Sequence, residues 1–166
     1  EIKKKDINGD QISKNMLSNM KNILKSIEIS EKYNSDLFYF LEDDYIHTKN
    51  AITEMLFTYE KLSSQLNSEL FLCPADYPYL YSNIDETKIF FGNRSHWRTV
   101  KESLITFMTS KKMIMKYLNE LKTMGRLRHH PMEQKLHQIY EKEYCISPIP
   151  SLAMHATNIN SIYGLP

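Results

Sequence analysis

Glycine, cysteine and tryptophan are nearly absent from this 166-residue chain, which holds four, two and one of them respectively. Four scattered glycines exclude a collagen repeat, a glycine-rich linker and a multi-glycine phosphate loop. Two cysteines, Cys73 and Cys145, allow one bridge and exclude a disulfide framework or a four-cysteine zinc site. Charge of one sign is not in excess either. Twenty-one Lys and Arg stand against 20 Asp and Glu, a net charge of +1. So even a balance gives no electrostatic footprint for nucleic acid, which is not an expected partner. The longest apolar run, Leu37 to Leu41, is far too short to span a bilayer, and no secretory apolar segment stands at the front. These absences make a cytoplasmic setting the expectation, with any attachment to a membrane made through flanking parts. The chain opens on Glu1 without an initiating Met, so we expect residues 1–166 to be one domain of a longer polypeptide.

What is present is the material of a folded core. Apolar residues make up 42% of the chain, and 11 Tyr and 7 Phe supply large rings to bury. Ile12, Met16, Met20, Ile23 and Ile27 recur at spacings of three and four, which predicts a helix over Gln11 to Lys32 capped by Asp10. Leu37 to Leu41 is apolar without alternation and predicts a strand covered on both faces. A helix capped by Thr48 should follow, burying Ile52, Met55, Leu56, Tyr59 and Leu62, and then a second buried strand over Glu69 to Cys73 closed by Pro74. Ala75 to Asp85 reads as an ordered aromatic loop. Lys88 to Phe91 and His96 to Val100 read as strands joined across Gly92-Asn93-Arg94, with a third strand over Ser103 to Met108. Thr109 or Ser110 should cap a helix ending at Gly125. Another helix should open at Pro131, where a missing N–H costs nothing. A short strand over Tyr144 to Ile149 and a terminal loop holding His155 complete the pattern. Alternating helices and strands predict an α/β fold with a mostly parallel sheet and flanking helices.

Three consecutive carboxylates, Glu42, Asp43 and Asp44, end the first strand. Clustered charges of one sign need a cation or strong donors, and hard oxygen ligands suit Mg or Mn held together with phosphates. Such a cluster at the carboxyl end of a strand stands where open α/β sheets bind ligands. His155 is a candidate second ligand, since Mn accepts nitrogen as well as oxygen. Glu133 would stand in the first turn of the Pro131 helix, where the helix field favours an ionised carboxylate able to act as a base. Asp76 is the rival base. It sits among Tyr77 and Tyr79, rings able to stack on a pyranose. His96, Trp97, Arg98 and His130 join these as candidate substrate-binding residues. Each position also has a plain structural reading, as a solvated loop end, a helix cap or simple packing.

The segment Leu37-Phe38-Tyr39-Phe40-Leu41-Glu42-Asp43-Asp44-Tyr45 resembles the strand and DxD-type motif of GT-A fold, nucleotide-sugar-dependent glycosyltransferases. The resemblance implies a GT-A-like sheet lacking its N-terminal nucleotide-binding strands in the covered sequence. It implies a role in glycan biosynthesis, with a nucleotide-sugar donor, a saccharide or glycan acceptor and Mn or Mg as cofactor. Glu42 would face the nucleotide ribose or order the metal shell, with Asp43 beside it in the donor site. Asp44 and His155 would hold the metal, and Glu133 would be the base of an inverting transfer. Position 42 departs from the family pattern in being Glu rather than Asp. Two other classes remain open on the residues alone: a metal-dependent phosphohydrolase or nuclease, and a noncatalytic carbohydrate-binding or interaction module.

Overall fold

The architecture was read from a computed structural model that describes residues 14–82, 85–125 and 133–156. The order of elements is α1 (Lys14–Lys32), β1 (Leu37–Phe40), β2 (Tyr45–His47), α2 (Ala51–Leu66) and β3 (Leu70–Leu72), followed by a 3₁₀ turn over Pro78–Tyr81. Then come β4 (Ile89–Phe91), β5 (His96–Thr99), β6 (Phe107–Ser110), α3 (Lys111–Lys116), α4 (Leu118–Thr123), α5 (Gln134–Tyr140), β7 (Tyr144–Ile149) and β8 (Ala153–His155). Asp10, His130 and Pro131 lie outside the described residues.

Six strands form one sheet in the order β1-β6-β3-β7-β5-β4, and β2 pairs with β8 in a separate ribbon. Among the described residues only β3 and β7 run parallel; every other neighbouring pair is antiparallel. The GT-A-like, mostly parallel sheet expected from the sequence is therefore corrected to a mixed, mainly antiparallel one. The unbroken apolar runs misled because they report two covered faces, and burial on both faces is indifferent to strand direction. Leu70, Phe71 and Leu72 are all buried, with Phe71 facing one core and Leu70 and Leu72 the other. The first strand is likewise corrected from an inner parallel strand to an edge strand, paired antiparallel with β6 alone among the described residues.

One core packs α1, α3, α4 and α5 against the sheet through Met20, Ile27, Phe71, Phe107, Ile114 and Leu121. The other packs α2 through Ala51, Met55, Tyr59 and Leu62 onto Leu70, Leu72 and Trp97. Local signals explain several boundaries. The Ser110 hydroxyl accepts the Met113 N–H at 3.2 Å and starts α3. Asn67, at φ 46°, ends α2 in the left-handed conformation that Asn tolerates. The expected Thr48 cap shifts to Asn50, with Thr48 contributing its carbonyl to the Ala51 N–H.

Strand directions decide where the loops meet. Since β1 and β3 are both antiparallel to β6, they run the same way, and β7 runs with β3. The carboxyl ends of β1, β3 and β7 therefore share one end of the sheet. The amino end of antiparallel β6 comes to that end as well.

Candidate functional site

Four segments converge at this end of the sheet: Glu42 to His47 after β1, Cys73 to Tyr81 after β3, Thr106 ahead of β6, and Ser151 to Ala156 after β7. The β2–β8 ribbon brings the first and last together, with Tyr45 opposite His155 and Ile46 opposite Met154. The Ala156 N–H donates to the Asp44 carbonyl at 2.7 Å and the Thr48 N–H to the Leu152 carbonyl at 2.9 Å, closing both ends of the ribbon. Pro74 ties in the middle segment, its carbonyl accepting the N–H groups of Leu152 and Ala153. Tyr45, Ala75, Tyr77 and Ala153 make a small apolar floor beneath.

On that floor the His155 Nε2 lies 2.9 Å from the Asp44 Oδ2, although 111 residues separate them in sequence. The imidazole is stacked on the Tyr45 ring at 4.7 Å between centroids and 15° between planes. The Tyr45 hydroxyl is hydrogen-bonded to that of Tyr77, so the ring carrying the imidazole is itself held at its far end. Glu42 is anchored by Thr106, whose hydroxyl accepts the Glu42 N–H at 3.1 Å and faces its Oε2 at 3.3 Å. Burial pushes the Glu42 carboxyl above the ordinary carboxylate range, and the fields of Asp44 and then Glu133 add to the rise against His155 and Thr106. Glu42 thus feels the charges of Asp44, His155 and Glu133.

Glu133 stands at the N-cap of α5 with helical backbone angles, and its side chain makes no capping hydrogen bond. The sequence expectation put it inside the first turn; it sits one position earlier, where its carboxylate is not spent on the helix. It also acts on Tyr79, whose hydroxyl is held above its ordinary pKa chiefly by burial, with Glu133 among the charges contributing. Tyr79 is 42% exposed and stacks on the buried Tyr77 at 5.4 Å. Asp43 is exposed at the turn between Glu42 and Asp44.

The other candidates are placed differently. Asp76 is buried, its Oδ1 accepting the Arg98 Nη2 at 2.6 Å and Nε at 3.1 Å while the Tyr81 hydroxyl donates to Oδ2. The Arg98 guanidinium lies 4.1 Å from the centroid of the Tyr81 ring. With two guanidinium donors converging on one oxygen and Tyr81 on the other, that carboxylate is fully committed, which suits a structural anchor better than a base. Trp97 is fully buried in the α2-side core, and its indole N–H points to Glu54 at 3.4 Å. His96 is exposed, paired edge-on with Phe91. Sequence reasoning missed Tyr45, Thr106 and the ribbon partner of β2. The triplet Tyr45-Ile46-His47, flanked by Asp44 and Thr48, could have signalled one short strand, but Ala153-Met154-His155, between Leu152 and Ala156, carries no such mark.

Among the described residues no group of three or more His, Cys, Asp or Glu is arranged to hold a metal ion. Asp44 and His155 nevertheless fit as a pair. The 2.9 Å between the Asp44 Oδ2 and the His155 Nε2 is a hydrogen bond, and a cation held by both atoms at about 2.1 Å each would replace it with little movement. The remaining positions would fall to a ligand and water. Two surface clefts of about 790 and 1000 Å³ lie elsewhere, and neither is lined by Glu42, Asp44, Glu133 or His155. No helix among the described residues is long and apolar enough to cross a membrane. The chain matches no protein-family model, and no curated protein sequence matches it.

Proposed function

We propose that this chain transfers a sugar from a nucleotide-sugar donor to a saccharide or glycan acceptor with the help of Mn or Mg, inverting the anomeric configuration. The observation that carries the reading is the juxtaposition of Asp44 and His155, with Glu42 held by Thr106 at the same end of the sheet. In this reading Asp44 and His155 hold the cation, which supplies charge neutralisation for a departing diphosphate. Glu42, kept in place by Thr106, borders the donor side, with Asp43 exposed next to it. Glu133 takes the proton of the acceptor hydroxyl as its oxygen bonds to the anomeric carbon. The bond from that carbon to the phosphate oxygen breaks, and its electron pair leaves with the diphosphate. The half-exposed Tyr79 offers a ring face to the acceptor. Asp76 and Arg98 act as a buried brace beneath the aromatic turn. The proposal carries with it a cytoplasmic setting, peripheral to a membrane through flanking parts.

The test is calorimetric titration of Mn into the protein with and without UDP or GDP, followed by a transfer assay over UDP-, GDP-, TDP- and CMP-sugars. Two protein ligands make a weak hard-cation site, so tight Mn binding is expected only with the nucleotide and should be lost in Asp44→Ala. Glu133→Gln should lower transfer by about 10²-fold or more with donor binding kept. Undiminished metal binding in Asp44→Ala, or turnover of phosphate esters with no response to any nucleotide sugar, would overturn the reading in favour of a phosphohydrolase or a noncatalytic module.

A further inference from the structure

Beneath the loop that leads to Asp76 lie two groups that the proposed transfer does not use. Cys73 follows β3 directly, and Cys145 is the second residue of β7, the one strand parallel to it. Each side chain is only 1% exposed, and their Sγ atoms stand 3.4 Å apart as free thiols. Cys145 lies opposite Phe71, and Cys73 is two residues further along, on the same face of the sheet. The two thiols therefore point into the same space, the core under α5.

We propose that Cys73 and Cys145 form a paired oxidation site that takes a peroxide and closes to a disulfide between the two central strands. Sulfur–sulfur bonding needs about 2.05 Å, so the thiols must close roughly 1.4 Å from their 3.4 Å contact, and because Cys73 stands two residues beyond the position opposite Cys145, β3 and β7 must shift slightly as the side chains turn. Cys73 is the residue oxidised first, because it stands just past the end of β3 where the chain leaves the sheet, whereas Cys145 is held within β7. Its thiol donates toward or accepts from Cys145, and this contact holds it below its ordinary pKa despite burial, while Cys145 is pushed up by burial. In the first step the Cys73 thiolate attacks one peroxide oxygen, breaking the O–O bond, giving the sulfenic acid and releasing hydroxide, which is protonated to water. In the second the Cys145 sulfur attacks the Cys73 sulfur, expelling the hydroxyl as a second water. Two thiols and one hydrogen peroxide thus give one disulfide and two waters. The sulfurs are oxidised and the peroxide is reduced.

Burial sets the rate, not the outcome. Ser103 and Tyr140 contact the thiols, and their own hydroxyls are joined at 3.0 Å. Ser103 belongs to a stretch without regular structure ahead of β6, and Tyr140 to the seven-residue α5. Local opening of such short elements is less costly than global unfolding and admits a small oxidant. The proximity of the partner then favours the disulfide over further oxidation of Cys73. Closing the bond would fasten β3 to β7 just before Pro74 and Ala75, the residues whose carbonyls hold Leu152, Ala153 and Ser147.

The experiment treats the folded full chain with graded hydrogen peroxide, then unfolds it in guanidinium with iodoacetamide and weighs the intact protein. The expected product has lost two hydrogens and both alkylatable thiols, regains them with dithiothreitol, and melts several degrees higher than the reduced form. The exposed Met115 serves as an internal gauge of oxidant exposure. Cys145→Ala should leave a Cys73 sulfenic acid that dimedone captures. If both thiols stay alkylatable once Met115 has become sulfoxide, or if disulfide-linked dimers are the main product, the proposal is overturned from the unmodified chain alone.

Discussion

Glu54 shows how one carboxylate can organise a turn that its own sequence neighbourhood does not announce. It lies on α2, is 4% exposed, and receives the N–H groups of Arg94 and Ser95 at 3.0 to 3.1 Å, with Thr58 and Trp97 as further donors. Burial works to raise its pKa, but these hydrogen bonds to the charged form outweigh it and hold the value below the ordinary 4.5. A folded value below the unfolded one means that its contribution to stability is complete above pH 4.5 and fades as pH falls through the depressed folded value. Urea midpoints measured against pH should therefore drop on the acid side. Glu54→Gln should lose about 1.5–3 kcal/mol at neutral pH and show a shallower acid slope. An acid slope equal to that of the unsubstituted chain would remove Glu54 from this role. Gly92, in the same turn, has a different reason to be what it is. A Cβ there would lie 2.4 Å from both the Thr58 hydroxyl and the Trp97 indole nitrogen. Gly92→Ala should consequently cost about 1–3 kcal/mol by overpacking, seen as a lowered melting midpoint. No displacement of Trp97 relieves it cheaply, since that ring has no exposed surface.

At the scale of elements, the first strand is where sequence and structure part. The Lys111 N–H donates to the Asp36 carbonyl at 2.8 Å, so residues 36 and 111 form a hydrogen-bonded antiparallel pair. By alternation, Phe38 and Phe40 turn their backbone groups to β6, and Leu37 and Tyr39 turn theirs to the open edge. Hydrogen exchange should show this directly, with slow amides at Phe38 and Phe40 and fast ones at Leu37 and Tyr39. Slow exchange at all four positions would mean that the edge is covered by another strand. None of this was legible in Leu37 to Leu41, because an apolar edge strand and an apolar central strand have the same composition. The helices were more readable. The three- and four-residue spacing of Met16, Met20, Ile23 and Ile27 gave α1 to its last residue, Lys32, while the expected start at Gln11 lies outside the described residues. The β4–β5 hairpin was legible from the turn residues Gly92 to Arg94 between the two segments read as strands, Lys88 to Phe91 and His96 to Val100. The stretch from Lys111 to Thr123, read as one helix, divides at Tyr117, which leaves helical geometry with φ −113° and ψ 22°. At the site, the acidic cluster and His155 were singled out from sequence, and the structure places Asp44 and His155 side by side. Tyr45 and Thr106 were not, because stacking and a hydroxyl anchor leave no mark on sequence spacing. Trp97 was read as a candidate substrate-binding residue, although alternation along His96-Trp97-Arg98 assigns it to the face opposite His96, in the core.

The whole molecule is two helical layers sharing one sheet, and the sharing should make it unfold as a unit. Phe71 belongs to the core under α1, α3, α4 and α5, while Leu70 and Leu72 on either side of it belong to the core under α2. Neither core can be dissolved without exposing the strand that builds the other. Trp97, the only tryptophan in the chain, is buried in the α2-side core and reports on that side alone. Leu121 is fully buried in the opposite core, on α4, which packs on α1. Leu121→Ala should cost about 2–5 kcal/mol through lost burial and the cavity it leaves, against a total stability of about 5–15 kcal/mol for a domain. If the layers are coupled through β3, the urea transition followed by Trp97 fluorescence should shift by the full amount, in step with the helical signal at 222 nm. The slope of free energy against urea should be unchanged, since the same surface is exposed on unfolding. A helical signal that falls at lower urea than the Trp97 signal would show instead that the α1-side layer detaches first, leaving α2 and the sheet folded. The β2–β8 ribbon should follow the common transition, because Pro74, Leu152 and Ala153 fix it to the end of β3. The carboxylate–imidazole pair at that end would then persist for as long as the shared strand does.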